Sequence, residues 1–274
     1  MALTRRQLLK FTGTAGIAGC LMGCHSAPLT DRRQLILLPE SREIALGLEA
    51  FDEVVMTEPV SQNLPLTQLV HRVGNRIAEA SGRLDYDWDF RLIADPTQNA
   101  FALPGGKVAI YEGILPVCVN EAGLAVVMAH EVAHALARHG GERMSQSMIS
   151  SGAEEILSRI AQTQVPDRAE RLMQAYGVAS KYGVLLPYSR KQESEADHIG
   201  VMLMAKAGYD PNEAPAFWQR FGSSGGADQA EFLSTHPSDQ RRSSDLLALL
   251  GEASQHYANA PNKYGKGQTI VQTG

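Results

Sequence analysis

Cysteine is nearly absent from this chain: there are three in 274 residues, and two of them, Cys20 and Cys24, crowd the amino terminus. Cys118 therefore stands alone in the body with no disulfide partner there. Its neighbours Leu115, Val117 and Val119 suit a buried thiol better than a redox centre. An excess of basic charge is also lacking. The net charge is −5, which gives no ground for a nucleic-acid partner. The apolar stretch near the start, Phe11 to Met22, is too short and glycine-rich for a confident membrane span. There is no tight phosphate loop, no carboxylate pair of the sugar-hydrolase kind and no internal repeat. What remains is ordinary globular material, 44% hydrophobic and 20% charged, long enough for one large core.

Against those absences stands His130-Glu131-Val132-Ala133-His134. Residues four apart on a helix are separated by about 40° around its axis, so both imidazoles project from one face toward a common point. Glu131, about 100° round from His130, falls beside a shared metal, where a carboxylate can take a proton from water. Leu124, Val127, Met128, Val132, Ala135 and Leu136 make this helix apolar on most sides. Asn120 is its expected N-cap and Gly140-Gly141 its expected stop. Two histidines and a glutamate inside so apolar a helix need partners, and a metal supplies one. Ala137 and Gly140 occupy the positions where a metzincin has Gly and His, which excludes that arrangement. Extrapolated along the helix, His139 points about 140° away from His134 and reads as a surface or helix-end residue. Further on, Glu193 and Asp197 share one helical face. One can serve as a third ligand while the other accepts a proton from the far nitrogen of a ligand histidine. Glu195, about 200° from Glu193, is expected to face solvent.

Three segments together resemble peptidase family M48, the gluzincin peptidases that include HtpX-type, CAAX prenyl endopeptidase and mitochondrial OMA-type enzymes. The first is His130 to His134. The second is Ser189-Arg190 with Glu193 to Asp197, similar to an SRxxExxAD stretch, and the third is Ser234-Thr235-His236-Pro237 with Arg242 beyond it. With Asn99-Ala100-Phe101-Ala102 and Pro104-Gly105-Gly106, the resemblance spans roughly residues 40 to 245. The long membrane domain of the CAAX enzymes is missing, which places the likeness with a soluble, periplasmic lipoprotein-like branch. The resemblance implies one zinc ion on His130, His134 and Glu193, with Glu131 as base and Asp197 behind a histidine. The implied fold is mainly α with a small β-sheet (α+β), a zincin-like domain around the HExxH helix. Trp88 to Ala94 and Lys107 to Tyr111 read as strands, joined through Gly105-Gly106 into a hairpin that is the candidate substrate shelf, with Asn99, Ala100, Phe101 and Ala102 as its binding residues. His236, in a proline-bounded loop, is a candidate catalytic group: an oxyanion donor or a fourth ligand that latches the site. Arg242 either stabilises charge there or pairs with an acidic side chain. His25, His71, His198 and His256 carry no motif and read as structural or exposed.

The amino terminus suggests a place of work. Arg5-Arg6 ahead of the apolar stretch resembles a twin-arginine export signal. Ile17-Ala18-Gly19-Cys20 fits a lipidation box, and Leu21-Met22-Gly23-Cys24 fits one less closely. The expected location is the bacterial cell envelope, in the periplasm, with a lipid anchor on Cys20 or Cys24. The expected divisions are a signal over 1–24, a linker and helix over 25–60, the zinc metallopeptidase domain over 61–252 and a polar tail over 253–274, loose from Asn259 onward. Helical stripes run through Ile44 to Val55 and Leu66 to Ile77. Further helices are expected near 142–160 and 168–182, after Asp210-Pro211, and over Ser238 to Leu250. The expected function is zinc-dependent endoproteolysis in protein quality control, with unfolded or misassembled envelope proteins as substrates. The competing class is a non-catalytic, zinc-stapled chaperone or assembly lipoprotein.

Overall fold

The computed structural model describes residues 24–149, 188–224, 230–236 and 241–270. The expected signal with Cys20, the helices expected between 150 and 182, and Pro237 lie outside the described residues; Cys24 opens the first strand, β1 (Cys24–Ser26).

Strand β1 pairs antiparallel with β2 (Arg33–Leu35), and the hairpin leads into α1 (Glu40–Thr57) and α2 (Leu64–Ser81). Asn63 caps α2 by accepting from the Leu66 N–H, with Pro65 in the first turn, and Gly82 ends it in the left-handed region at φ 71°. A three-stranded sheet follows: β3 (Asp89–Ile93), β4 (Ala100–Leu103) and β5 (Lys107–Tyr111), in the order β3-β5-β4. The glycine turn joins β4 to β5, antiparallel, and β3 lies parallel to β5 on the other side. This corrects the expected pairing, in which the turn joined β3 to β5. Parallel neighbours need a crossover, and β4 with its flanking loops supplies it.

Period-two alternation sorts the sheet into two faces. Phe90, Leu92, Ala100, Ala102, Val108 and Ile110 face the main core with α2 and the HExxH helix, whereas Phe101, Leu103 and Ala109 pack against Ala50, Phe51 and Val54 of α1. The sheet is thus the middle of three layers. Short α3 (Leu115–Cys118) follows, with Cys118 a buried free thiol whose pKa burial pushes up.

The HExxH helix is α4 (Glu121–Leu136), and all its residues but Leu136 are buried. Asn120 caps it, accepting from the Gly123 N–H at 2.9 Å. It stops earlier than the glycine pair. Arg138 takes a left-handed φ of 52°, a new helix α5 (139–149) begins at His139, and Gly140-Gly141 lie inside it. Arg138 is held in that costly conformation by Glu43 at 2.6 Å and by the Leu38 carbonyl and His25 Nδ1, each at 3.2 Å. Gly141 serves a close approach instead of a stop, since a Cβ there would sit 2.4 Å from the Glu43 carboxyl group.

Helix α6 (Arg190–Lys206) begins with a capping box between Ser189 and Gln192 and packs along α4. Gly200 makes that contact tight: a Cβ there would lie 3.1 Å from the His130 backbone nitrogen. Helices α7 (Glu213–Ser224), α8 (Ala230–Thr235) and α9 (Arg242–Asn259) complete the helical layer. The carboxyl-terminal stretch differs from expectation. Residues 260–270 lie across the start of α4, where the Glu121 and Ala122 N–H groups donate to the Gln268 and Lys266 carbonyls at 2.9 and 3.1 Å. Among the described residues no helix is long and apolar enough to cross a membrane.

Candidate active site

The adjacent helices α4 and α6 bring His130, His134 and Glu193 to one point, and the chain leaving α8 adds His236. One ligand-capable atom from each of these four buried residues lies within 4.8 Å of the others, and among the described residues this is the one such cluster. His130 Nε2 stands 3.1 Å from His134 Nε2 and 3.4 Å from Glu193 Oε2, and His134 Nε2 stands 3.4 Å from Glu193 Oε1. Atoms held at about 2.0–2.1 Å by a shared tetrahedral zinc would be roughly 3.3 Å apart. The nitrogen-and-oxygen donor set and its spacing therefore fit that ion. Glu131 adds a second observation: it is fully buried, and neither carboxylate oxygen has a hydrogen-bond partner. Such a group is costly unless something in the site, such as water, meets it.

Burial pushes the Glu131 carboxyl above the usual carboxylate range and so makes it a better base, although the nearby His236 and His130 oppose the shift. Burial also acts on Glu193, but His236 and hydrogen bonds from His130 and His134 outweigh it and hold the carboxyl well below its ordinary value. His134 is driven well below the normal imidazole range by burial, which favours the neutral, ligating form.

The supports of the two helix histidines differ. His130 Nδ1 faces Asp197 Oδ1 at 3.0 Å, and Arg242 grips the same carboxylate with Nη2 at 2.6 Å and Nε at 2.7 Å. Arg242 also sets Nη1 3.0 Å from Glu193 Oε2 and lays its guanidinium over the Trp218 ring at 3.5 Å. Of the two roles open to Arg242, pairing with acidic side chains is the one its geometry shows. His134 is supported through His139. That residue, expected at the surface, is fully buried, with Nδ1 2.8 Å from His134 Nδ1 and Nε2 2.8 Å from Glu195 Oε2. Glu195, expected in solvent, is also buried and receives Thr30 Oγ1 and Arg32 Nε from the β1–β2 hairpin.

His236 sits with Nδ1 3.1 Å from Glu193 Oε1 and Nε2 3.4 Å from Glu131 Oε1, and its ring stacks on Phe232. Tyr188 stacks on His134 with ring centroids 3.7 Å apart. Tyr188, Trp218, His139 and Glu195 are the residues that sequence reasoning missed; Tyr188 and Trp218 belong to no motif, and only Tyr188's position just before Ser189-Arg190 was a signal. Asn99 precedes β4, while Ala100, Phe101 and Ala102 lie on that edge strand, which packs beside α4.

Sequence comparison covers the same elements. The profile of Peptidase family M48 matches residues 66–250, from α2 into α9. The chain is similar to the mitochondrial metalloendopeptidase OMA1 of Schizosaccharomyces pombe, 39% identical over 232 residues that make up 82% of this chain and 66% of that protein. The OMA1 protein of Saccharomyces cerevisiae is 34% identical over 251 residues, 84% of this chain and 70% of its own length. A putative beta-barrel assembly-enhancing protease of Vibrio cholerae is 31% identical over 261 residues, 86% of this chain and 52% of that protein. This chain therefore spans between about half and somewhat over two thirds of these relatives.

The expected location in a bacterial envelope is corrected by these findings. The two fungal relatives, and a third in Arabidopsis thaliana at 37% identity, bear mitochondrial names and match more strongly than the bacterial protease. The matched profile runs through the helices that carry His130, Glu131, His134 and Glu193, and two fungal relatives align over more than four fifths of the chain, so the chain belongs to peptidase family M48.

Proposed function

We propose that this protein is a zinc-dependent metalloendopeptidase in which His130, His134 and Glu193 hold the ion and Glu131 is the general base. The observation that carries this reading is the fully buried Glu131 carboxylate, neither oxygen of which accepts a hydrogen bond, beside three converging donors. When bound, zinc supplies Lewis acidity toward a peptide carbonyl and lowers the pKa of water to about 7. Glu131, its basicity raised by burial, takes the proton from the attacking water and hands it to the leaving amine. His236, the fourth member of the cluster, serves either as a donor to the developing oxyanion or as a further ligand that latches the site. Asp197, clamped by Arg242, keeps the proton of His130 on Nδ1 so that Nε2 presents its lone pair to the metal.

Substrates are polypeptides in extended form. Asn99 to Ala102, on and just before the edge strand beside α4, are the candidate contact residues, and since each is no more than 6% exposed, an extended peptide pairing there has to displace the groups that cover them. The mitochondrial names of the stronger relatives support a mitochondrial setting.

The test is Glu131→Gln. The variant keeps its zinc, measured by metal analysis, and loses casein cleavage by about 10²–10⁴-fold in kcat. Cleavage by the variant at the wild-type rate overturns the assignment.

A further inference from the structure

The two histidines of the HExxH helix are not held alike. His130 meets a carboxylate directly, whereas His134 meets another imidazole, His139, whose far nitrogen reaches Glu195. Beyond Glu195 lies Arg32, which binds that carboxylate at 2.7 Å through Nε and, through Nη1 and Nη2, both oxygens of Glu142 at 2.8 Å. Gln192 closes the far end by donating to Glu142 Oε2 at 2.8 Å.

The protons in this chain can be assigned. If His134 ligates through Nε2, it keeps a lone pair there and carries its hydrogen on Nδ1. That hydrogen has one partner, His139 Nδ1 at 2.8 Å, which must then accept. His139 consequently carries its own hydrogen on Nε2 and donates it to Glu195, an anion also satisfied by Thr30 and Arg32. Each link fixes the tautomer of the next. The origin of the order is the β1–β2 hairpin, because Thr30 and Arg32 both come from it.

We infer that His139 is a positioning residue for the zinc ligand His134, and that the hairpin, acting through Arg32 and Glu195, sets how tightly the metal is held. This rests on the zinc reading above. It adds a dependence of the metal site on a segment of chain that contributes no ligand. Outer partners of ligand histidines are worth about 10–100-fold in metal affinity. His139 and the Arg32 end of the relay should therefore each affect retention of the ion.

The experiment measures the zinc dissociation constant of the full chain by competition with a chromophoric chelator. His139→Phe fills the same space without accepting, whereas His139→Asn can place an amide oxygen near the former Nδ1. The phenylalanine variant is expected to weaken zinc about 10–100-fold. The asparagine variant is expected to recover most of that loss, and Arg32→Met to fall between. Cobalt substitution adds a readout that a merely structural role would not move: the ligand-field bands shift in His139→Phe and return in His139→Asn. Wild-type affinity in His139→Phe, or equal losses in the Phe and Asn variants, overturns the relay. Zinc content of the wild type separates the two ideas, since a wild type without zinc removes the metal reading itself.

Discussion

Glu142 illustrates how single charges are held around this site. Burial works against its carboxylate, but Arg32 and Gln192 outweigh that and keep its pKa below the ordinary carboxylate value. A carboxyl whose pKa falls on folding contributes stability above its unfolded value and loses it as pH drops through the folded one. Glu142→Gln is therefore expected to lower unfolding stability near neutral pH by about 1–3 kcal/mol. The deficit should shrink as pH falls below about 4.3, the ordinary Glu value; urea unfolding from pH 7 down to pH 3 measures it, and a deficit independent of pH would contradict the account. His130, Glu131 and His134 were legible one by one because four-residue spacing on a helix is a local property. His139 was not, since its direction depends on Arg138 leaving the helix at φ 52°, and Glu43, 95 residues earlier, is what holds Arg138 there. Glu195 was misread for a similar reason: periodicity separates the faces of α6 but does not say that the face opposite Glu193 is covered by the amino-terminal hairpin.

Between helices, the separation of α4 and α6 is what gives three side chains one focus. Gly200 sets that distance, because its missing Cβ lets α6 lie against the backbone of Ala129 and His130. Gly200→Val should push the helices apart, destabilise the fold by about 1–3 kcal/mol through overpacking and reduce zinc content as Glu193 moves away from His130 and His134. Denaturant midpoints and metal analysis check both effects; full zinc occupancy with an unchanged midpoint would refute it. The helix start at Asn120 was readable because capping is local chemistry. The sheet was only half readable. Alternation showed β3 and β5, but Ala100–Leu103 is apolar at every position because both its faces are covered, so it carried no period-two signal.

Across the whole chain, the two ends act on the site from opposite sides. The amino-terminal hairpin braces α5 and α6, and the carboxyl-terminal stretch 260–270 closes the start of α4, where Arg72 and Arg76 also bind the buried Glu121 carboxylate. Ending the chain at Asn259 strips the Glu121 and Ala122 N–H groups of their acceptors. Each of these hydrogen bonds is worth about 0.5–1.5 kcal/mol, so the truncated chain should unfold at lower urea concentration; an unchanged midpoint would show that the stretch adds no stability. The polar composition of these last residues suggested a loose tail, because the hydrogen bonds that order them are made by main chain. The sequence by itself determined the chemistry, namely two imidazoles and a carboxylate on one helix and two more carboxylates on another, since helical spacing and side-chain type are written locally. Tertiary structure decided which carboxylate faces which histidine, that His139 stands behind His134, and that both chain ends brace the centre. Those choices depend on contacts between residues distant in sequence, whose geometry no local period encodes.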